Sequence, residues 1–221
     1  MTNFLLAAGI VIFAYLIGSV NFAVIIGRIF LGKDVREVGS GNAGATNVFR
    51  SAGILPGLLT FMLDAFKGFV AVFLGKLVFT QIFENTGENI FNPMVGAYLC
   101  VLAVMLGHIF PVFFGFKGGK AVAVSVGTYA VCCYPAILLG LLVFALVLIF
   151  SRMVSLSSLA ATVMVVSMSI VFMDYSTPFV PQIICTVIAG FIVFIKHKDN
   201  IVRLKNGTEK KIFSKGAKKD V

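Results

Sequence analysis

The 221-residue sequence is short of charge and contains no tryptophan. Charged residues make up 12% of the chain, whereas they make up about a quarter of a soluble globular domain. Hydrophobic residues reach 59%, and 23 of them are phenylalanines. A chain with so little charge cannot cover a water-facing surface with polar side chains. The composition therefore excludes an ordinary soluble domain and predicts an integral membrane protein.

Cysteines and acidic residues are also scarce. The four cysteines lie in or beside apolar segments and form no CxxC pair, so we interpret them as small apolar side chains. Nine acidic against 18 basic residues give a net charge of +9. The cations are confined to short loops and the C-terminal stretch, so membrane orientation explains them better than binding to nucleic acid. We expect no nucleic-acid partner, no metal and no cofactor.

Long apolar stretches predict the membrane spans, because about 20 apolar residues cross the hydrocarbon core as a helix. The clear candidates are residues 4–27, 54–80, 93–114, 154–173 and 178–195. The stretch 121–150 is harder to assign, because as a helix it is about 45 Å long, which is long for one span and short for two. Cys132, Cys133, Tyr134 and Pro135 interrupt its middle.

The positive-inside rule decides how often residues 121–150 cross the membrane. The loop 28–53 is rich in Arg and Lys and is therefore placed in the cytoplasm. If 121–150 crosses once, the nine cations between Lys196 and Lys219 fall outside the cell. If it crosses twice, those cations fall inside, as the rule requires.

The sequence therefore predicts an all-α polytopic membrane protein with seven transmembrane helices, two of them short. The N-terminus is expected outside and the C-terminus in the cytoplasm. Residues 1–221 are expected to form a single integral membrane domain. Within it, residues 205–221 are expected to be a flexible basic tail.

The first polar segment, residues 39–50, reads GSGNAGATNVFR. Its glycines permit close backbone approach, successive N–H groups can bind an anion, and the arginine can hold a phosphate through two N–H groups. The GxGxxG match is a weak dinucleotide signal, because a membrane helix and not a strand precedes it. The alternative to a phosphate site is a flexible turn. The candidate residues are Ser40, Gly41, Asn42, Gly44, Thr46, Asn47 and Arg50.

The second polar segment runs from Gly107 through His108 to Lys120. Its end, Phe-Lys-Gly-Gly-Lys, brackets two glycines with lysines at the start of a helix, which suits a phosphate. It is not a nucleotide-hydrolysing loop of the Walker type, since Ala121 stands where Ser or Thr is required. Ordinary positive-inside flanking is the alternative. His108 is more typical of a structural hydrogen bond. The candidates are Lys117, Gly118, Gly119 and Lys120.

The third polar segment follows the last span at residues 196–209. His197 and Asn200 are three residues apart and share a helix face. A histidine can serve as a general base or as a phosphate ligand, whereas the other cations need only an attraction to anionic lipid. Within the spans, Asp64 and Lys67 are expected to pair with each other. The serines of 152–158, including Ser155, either cap a helix or line the site.

Together the three segments resemble the bacterial acyl-phosphate:glycerol-3-phosphate acyltransferases (PlsY type). That family carries Gly-Ser-Gly-Asn-x-Gly-Ala-Thr-Asn ending in Arg, Phe-Lys-Gly-Gly-Lys after Gly-His-x-Phe-Pro, and His-x-x-Asn-Ile-x-Arg-Leu. All three occur here in order, at 39–50, 107–120 and 197–204. Asp64-x-x-Lys67-Gly68 and Val154-Ser155-Leu156 also look familial. Ala121 is a departure, because the family has glycine there.

The resemblance implies transfer of an acyl group from acyl phosphate to the 1-hydroxyl of sn-glycerol 3-phosphate, which gives lysophosphatidic acid and phosphate. This is the first acylation of bacterial phospholipid synthesis. It further implies a site on the cytoplasmic face of the inner membrane, contact with membrane lipid, and a functional link to a soluble enzyme that forms acyl phosphate. The implied catalytic residues are Ser40, Arg50, Lys120, His197 and Asn200. The implied substrate-binding residues are Gly41, Asn42, Gly44, Thr46, Asn47, Lys117, Gly118, Gly119 and Ser155.

Two questions stay open at the level of sequence. The proton acceptor is either His197 or the phosphate of the substrate. A transporter of phosphorylated solutes is the alternative function, although transporters usually place such groups near the midplane, within broken helices. A lipid-binding scaffold would need only the basic tail.

Overall fold

The computed structural model describes residues 1–212, and every regular element in that range is helical. The α-helices are α1 (Thr2–Ser19), α2 (Phe22–Leu31), α3 (Ala45–Ala52), α4 (Ile54–Thr86), α5 (Pro93–Ile109), α6 (Val122–Cys132), α7 (Tyr134–Ser151), α8 (Val154–Val171), α9 (Phe179–Lys196) and α10 (Lys198–Lys205). Short 3-10 turns occur at Val35–Glu37, Asn89–Phe91 and Val112–Phe114.

Six segments of the described chain are long and apolar enough to cross a membrane. They are Thr2–Leu31, Ile54–Thr86, Pro93–Phe114, Tyr134–Ser151, Val154–Val171 and Phe179–Lys196. Helix α6 is apolar but has only 11 residues. The all-helical membrane fold is thus confirmed, whereas the count of seven spans stays a prediction that requires α6 to be included.

The first span is not the continuous helix that was predicted over residues 4–27. Helix α1 ends at Ser19, and Asn21 begins α2 by accepting a hydrogen bond from the Val24 N–H, at 3.2 Å from its Oδ1. A side-chain cap of this kind competes with continued helix. The break leaves the Val20 carbonyl free of its helical partner, and this carbonyl is used by the interior of the bundle, as described below.

The stretch 121–150 forms two helices, α6 and α7, whereas the two membrane crossings that the charge argument required stay a prediction. The two helices meet at Cys133, whose extended backbone separates α6 from α7, and Pro135 lies in the first turn of α7. Both helices were expected to be short, but α7 has 18 residues, which is enough to cross a membrane. All four cysteines are free thiols in the described residues.

Helix α4 is the centre of the bundle, because α1, α2, α3, α5 and α6 all pack against it. Helices α7 and α8 pack against each other as an antiparallel pair. Helix α9 packs against α8 on one side and against α5 on the other. Small residues allow the helices to approach closely, as is common where membrane helices pack. At Gly127, for example, an added Cβ would lie 1.7 Å from the Ala65 carbonyl oxygen, so α6 and α4 touch through their backbones.

The three polar segments are tied together at one end of the bundle. Arg36 donates hydrogen bonds to the carbonyls of Phe114 and Lys117, at 2.7 and 3.1 Å, and forms an ion pair with Asp34 at 2.8 Å. The Ile212 N–H donates to the Arg152 carbonyl at 2.7 Å, so the chain after α10 is held against the α7–α8 turn. The rest of the predicted tail, residues 213–221, lies outside the described residues, and its flexibility stays a prediction.

Ala121 adopts the left-handed conformation, with φ of 62°, immediately before α6. This explains why the family pattern has glycine there, since a Cβ costs roughly 1–2 kcal/mol in that region. We expect Ala121→Gly to raise the free energy of unfolding by about 1 kcal/mol. Thermal unfolding of the purified protein in detergent would measure this. Ala123→Gly, inside α6, is the matched control and should lower stability, and a loss of stability in Ala121→Gly would contradict the argument.

Candidate active site

One cavity of about 450 Å³ opens at the end of the bundle where the polar segments meet. Its outer part is polar, and its inner part is apolar and runs between α6, α7, α8 and α9. The polar lining comprises Ser40, Asn42, Thr46, Asn47, Arg50, Asp64, His108, Lys120, Ser155, His197, Asp199, Asn200, Arg203 and Glu209. The apolar lining includes Val126, Tyr129, Ile137, Leu141, Phe144, Val165, Val166, Ala189 and Val193.

Asn47 shapes the loop of the first polar segment. Its Oδ1 accepts the Ser40 N–H at 2.8 Å, and its Nδ2 donates to the carbonyls of Val35 and Val38 at 2.8 and 3.0 Å. The side chain is buried, and Gly39 and Gly41 have φ of 65° and 71°. The polar atoms of Asn47 are therefore used in hydrogen bonds that hold the loop in shape. The loop in turn presents Ser40 and Asn42 at the cavity surface.

The second polar segment positions Lys120 at the cavity, but the backbone N–H groups of its two glycines are already used in hydrogen bonds. The Gly118 and Gly119 N–H groups donate to the carbonyls of Ile109 and His108, at 3.1 and 3.2 Å. An added Cβ on Gly119 would lie 2.3 Å from His108 Nε2, so only glycine allows this approach. Gly118 lines the cavity, whereas Gly119 and the exposed Lys117 do not. The glycines therefore serve to bring Lys120 to the cavity wall.

Lys120 belongs to a hydrogen-bonded chain that the sequence did not reveal. Its Nζ donates to Asn200 Oδ1, and Asn200 Nδ2 donates to Glu209 Oε1 at 2.7 Å. The same Oε1 accepts the Ser155 hydroxyl at 2.8 Å, and Glu209 Oε2 pairs with Arg203 Nε at 2.8 Å. One carboxylate thus fixes side chains from α8 and α10 at the cavity wall.

The charged side chains of this hydrogen-bonded network shift one another's pKa values. Burial alone would raise the pKa of Glu209, but hydrogen bonds from Ser155, Asn200 and Arg203 hold that pKa below its usual range. Burial, together with the nearby Arg203 charge, lowers the pKa of Lys120 to about 8. At neutral pH the cavity wall therefore presents an ionised carboxylate and a charged lysine.

His197 is held in one tautomer by the helix that precedes it. Its Nδ1 lies 2.8 Å from the Val193 carbonyl oxygen, which can only accept, so Nδ1 carries the proton and donates. Nε2 is then the acceptor of the neutral ring. Burial and the Lys120 charge lower the pKa of His197 to about 4, so the ring is neutral at physiological pH.

A buried ionic group forms the inner wall of the polar part. Lys67 Nζ lies 2.8 Å from Asp64 Oδ1, 3.1 Å from His108 Nδ1 and 2.5 Å from the Val20 carbonyl oxygen. Asp64 and Lys67 are 1% and 4% exposed, so the predicted pairing is present and is buried. The group joins α4 and α5 to the break between α1 and α2.

Most of the predicted site residues meet in this one cavity. Its lining includes Ser40, Gly41, Asn42, Gly44, Thr46, Asn47, Arg50, Gly118, Lys120, Ser155, His197 and Asn200. Sequence reasoning did not identify Arg203 and Glu209 as site residues. The available signal was that Glu209, like Asp199, is a carboxylate within the basic stretch after the last span, where orientation and lipid attraction call only for cations.

Comparison with known proteins finds relatives that match most of the chain. Residues 8–207 match the family described as Glycerol-3-phosphate acyltransferase. The chain is 40% identical over 201 residues to Glycerol-3-phosphate acyltransferase 2 of Bacillus anthracis, covering 91% of this chain and 96% of the relative. It is also 40% identical over 212 residues to the Glycerol-3-phosphate acyltransferase of Francisella philomiragia, covering 95% and 94% of the two chains.

Solved structures are similar along nearly the whole chain. PlsY, an integral membrane glycerol 3-phosphate acyltransferase, superposes in its glycerol 3-phosphate form with a TM-score of 0.80 at 36% identity, covering 93% of this chain and 95% of that one. Its lysophosphatidic acid form gives a TM-score of 0.77 at 34% identity, with the same coverage. The match over most of the chain, the ordered motifs and the shared fold make this protein a member of the glycerol-3-phosphate acyltransferase family.

Proposed function

We propose that this protein transfers a fatty acyl group from an acyl phosphate to the 1-hydroxyl of sn-glycerol 3-phosphate, releasing lysophosphatidic acid and inorganic phosphate. The observation that carries the proposal is that the polar outer part of the cavity, which holds Arg50 and Lys120, continues into an apolar inner part. Both substrates carry a phosphate, which suits the outer part. Only the donor carries a fatty chain, which suits the inner part. The glycerol 3-phosphate and lysophosphatidic acid forms of the similar PlsY support the acceptor and the product.

The cations at the cavity wall are proposed to bind the two phosphates. Arg50 and Lys120 approach from different segments, so they can hold two anions side by side. Ser40 and Asn200 are proposed to position the acceptor, because they line the cavity beside these cations. Lys117 is exposed outside the lining, and we propose that it attracts substrate toward the opening and does not bind it.

The proposed reaction is a direct transfer. The acceptor hydroxyl oxygen attacks the acyl carbon, the carbon–oxygen bond to phosphate breaks, and the hydroxyl proton ends on the released phosphate. Because phosphate is already a good leaving group, proximity and stabilisation of the developing negative charge by Arg50 and Lys120 supply the catalysis. No acyl-enzyme intermediate is part of the proposal.

His197 is proposed to orient the acceptor, while substrate phosphate takes the proton. His197 lines the cavity, and because its Nδ1–H is committed to the Val193 carbonyl, Nε2 is the ring atom left to accept a hydrogen bond. With a pKa of about 4 it is a weak base at physiological pH. A phosphate oxygen is the more basic group and is present in both substrates.

We further propose that the site faces the cytoplasm of the bacterial inner membrane, with seven spans and the N-terminus outside. The exposed cations Lys33, Lys117 and Lys198 lie on segments at the site end, whereas Glu84 and Glu88 lie near the opposite end of α4. The positive-inside rule then orients the chain. A cytoplasmic opening also suits a soluble enzyme that supplies acyl phosphate.

A donor assay tests the proposed function. Purified protein would be given acyl phosphate or acyl-CoA together with labelled glycerol 3-phosphate, with and without a chelator. We expect labelled lysophosphatidic acid from acyl phosphate only, at a rate that the chelator leaves unchanged. Product from acyl-CoA but not from acyl phosphate would contradict the proposal that acyl phosphate is the donor. No product from either donor, with uptake of labelled solute into proteoliposomes, would favour the transporter.

The lowered pKa of Lys120 predicts an alkaline limit to activity. Below about pH 8 the lysine is charged and binds phosphate, and above it the charge is lost. We therefore expect kcat/KM for glycerol 3-phosphate to fall by up to about tenfold per pH unit beyond that point. Lys120→Arg should be less active at neutral pH, since arginine has a different geometry, but should lose this alkaline limb because arginine stays charged. An identical limb in both proteins would exclude Lys120 as its cause.

A further inference from the structure

The inner part of the cavity ends at a layer of four residues, one from each surrounding helix. Moving away from the polar end, the deepest lining residues are Tyr129 on α6, Ile137 on α7, Val165 on α8 and Ala189 on α9, with Val166 beside Val165. We call the first four the floor. All four are buried, at 2%, 7%, 7% and 2% exposure, and they belong to one core cluster.

The floor is closed by tight packing. An added Cβ on Gly140 would lie 2.3 Å from Val165 Cγ2, so α7 presses directly on the valine that faces it. The Tyr129 ring packs edge-on against Tyr98, with ring centroids 6.4 Å apart. A core packed at this density does not open without moving a helix. The floor is therefore a fixed boundary.

The depth of the groove follows from helix geometry. Ser155 lines the polar end and Val165 the floor of the same helix, and ten residues of α-helix span about 15 Å. This equals about half of the roughly 30 Å hydrocarbon core. The groove is therefore as deep as one leaflet of the membrane.

We propose that this floor sets the longest acyl chain that the enzyme accepts efficiently. The inference rests on the proposed function, because it assumes that the fatty chain of the acyl phosphate occupies the groove. With the acyl carbon held near Lys120 and Ser155, the methyl end of a chain that fills the groove touches Val165 and Ile137. A longer chain has to bend, or withdraw its acyl carbon from the cations.

The experiment changes the floor at one position in both directions. Val165→Phe raises the floor and Val165→Ala lowers it. Val163 lies two residues away on α8 but is 53% exposed on the outside of the bundle, so Val163→Phe and Val163→Ala are matched controls. For each protein, kcat/KM is measured for saturated acyl phosphates from dodecanoyl to octadecanoyl, and the ratio of longest to shortest is compared with wild type.

We expect Val165→Phe to lower that ratio about tenfold or more, which is the effect of a methylene that no longer fits its pocket. Val165→Ala should raise the ratio, and both Val163 variants should leave it unchanged. An unchanged ratio in Val165→Ala overturns the proposal, even if the bulkier variant fails to fold. If wild-type protein turns over no acyl phosphate of any length, the proposed function is wrong. That result is distinct from an unchanged ratio in Val165→Ala, which contradicts only the role of the floor.

Discussion

Replacing Arg50 by alanine is expected to lower kcat/KM for glycerol 3-phosphate by about 10²–10³-fold, the usual effect of removing one group that stabilises developing charge. Arg50 lines the cavity from the last turn of α3. One of its N–H groups donates to the Lys210 carbonyl at 3.2 Å. The guanidinium has five such donors, so the others remain available to a phosphate.

Two further variants separate binding geometry from charge. Arg50→Lys keeps the charge but loses the paired N–H contact, and we expect it to recover only part of the activity. Lys198→Ala removes an exposed cation of α10 that does not line the cavity, and should leave kcat/KM near wild type. Equal losses in the Arg50→Ala and Lys198→Ala proteins would mean that general electrostatic attraction, and not a specific contact, explains the effect.

Replacing Lys67 by methionine is expected to lower the free energy of unfolding by about 3–5 kcal/mol, because it leaves a buried carboxylate without its partner. Asp64 is 1% exposed, and its Oδ1 lies 2.8 Å from Lys67 Nζ and 3.7 Å from His108 Nδ1. The Val20 carbonyl at the α1–α2 break would lose its Lys67 hydrogen bond as well. Denaturant unfolding of the purified protein measures the loss.

The double replacement Asp64→Leu with Lys67→Met is the control for this effect. Removing both charges together takes away the uncompensated carboxylate, so most of the lost stability should return. If the double variant is as unstable as Lys67→Met alone, then loss of the Val20 contact and of packing explains the change. A loss below about 1 kcal/mol in Lys67→Met would mean that Asp64 takes up a proton or is reached by water.

Hydropathy and charge predicted the membrane class and most span boundaries, because lipid imposes length and composition on each helix independently of its neighbours. The charge count also predicted two crossings in 121–150, and the structure has two helices there. It could not assign their lengths, because the end of α6 depends on the extended backbone at Cys133. The break at Asn21 was missed for a related reason, since the surrounding residues are apolar enough for a continuous span.

The candidate site was predictable as a set of segments but not as a set of contacts. Asn47 was expected to touch substrate, yet its polar atoms hold the loop, and the amides of Gly118 and Gly119 bond to α5. Glu209 was missed because its partner Ser155 is 54 residues away, and because Asn200 and Arg203 contact it only after the chain turns back beyond α10. Hydrogen bonds between distant residues leave no periodic pattern in a sequence, so tertiary structure was needed to find them.

Because Glu209 lies past α10, the cavity wall is completed by a residue that follows every helix of the bundle. This carboxylate lies past the last helix, yet it holds Ser155 and Asn200 in place. The cavity thus draws on the chain from Ser40 to Glu209. A nascent chain inserted up to α9 has its membrane spans and much of the cavity wall but lacks Asn200, Arg203 and Glu209, which complete that wall. A chain that stops before Glu209 would therefore leave Ser155 and Asn200 without the carboxylate that joins them.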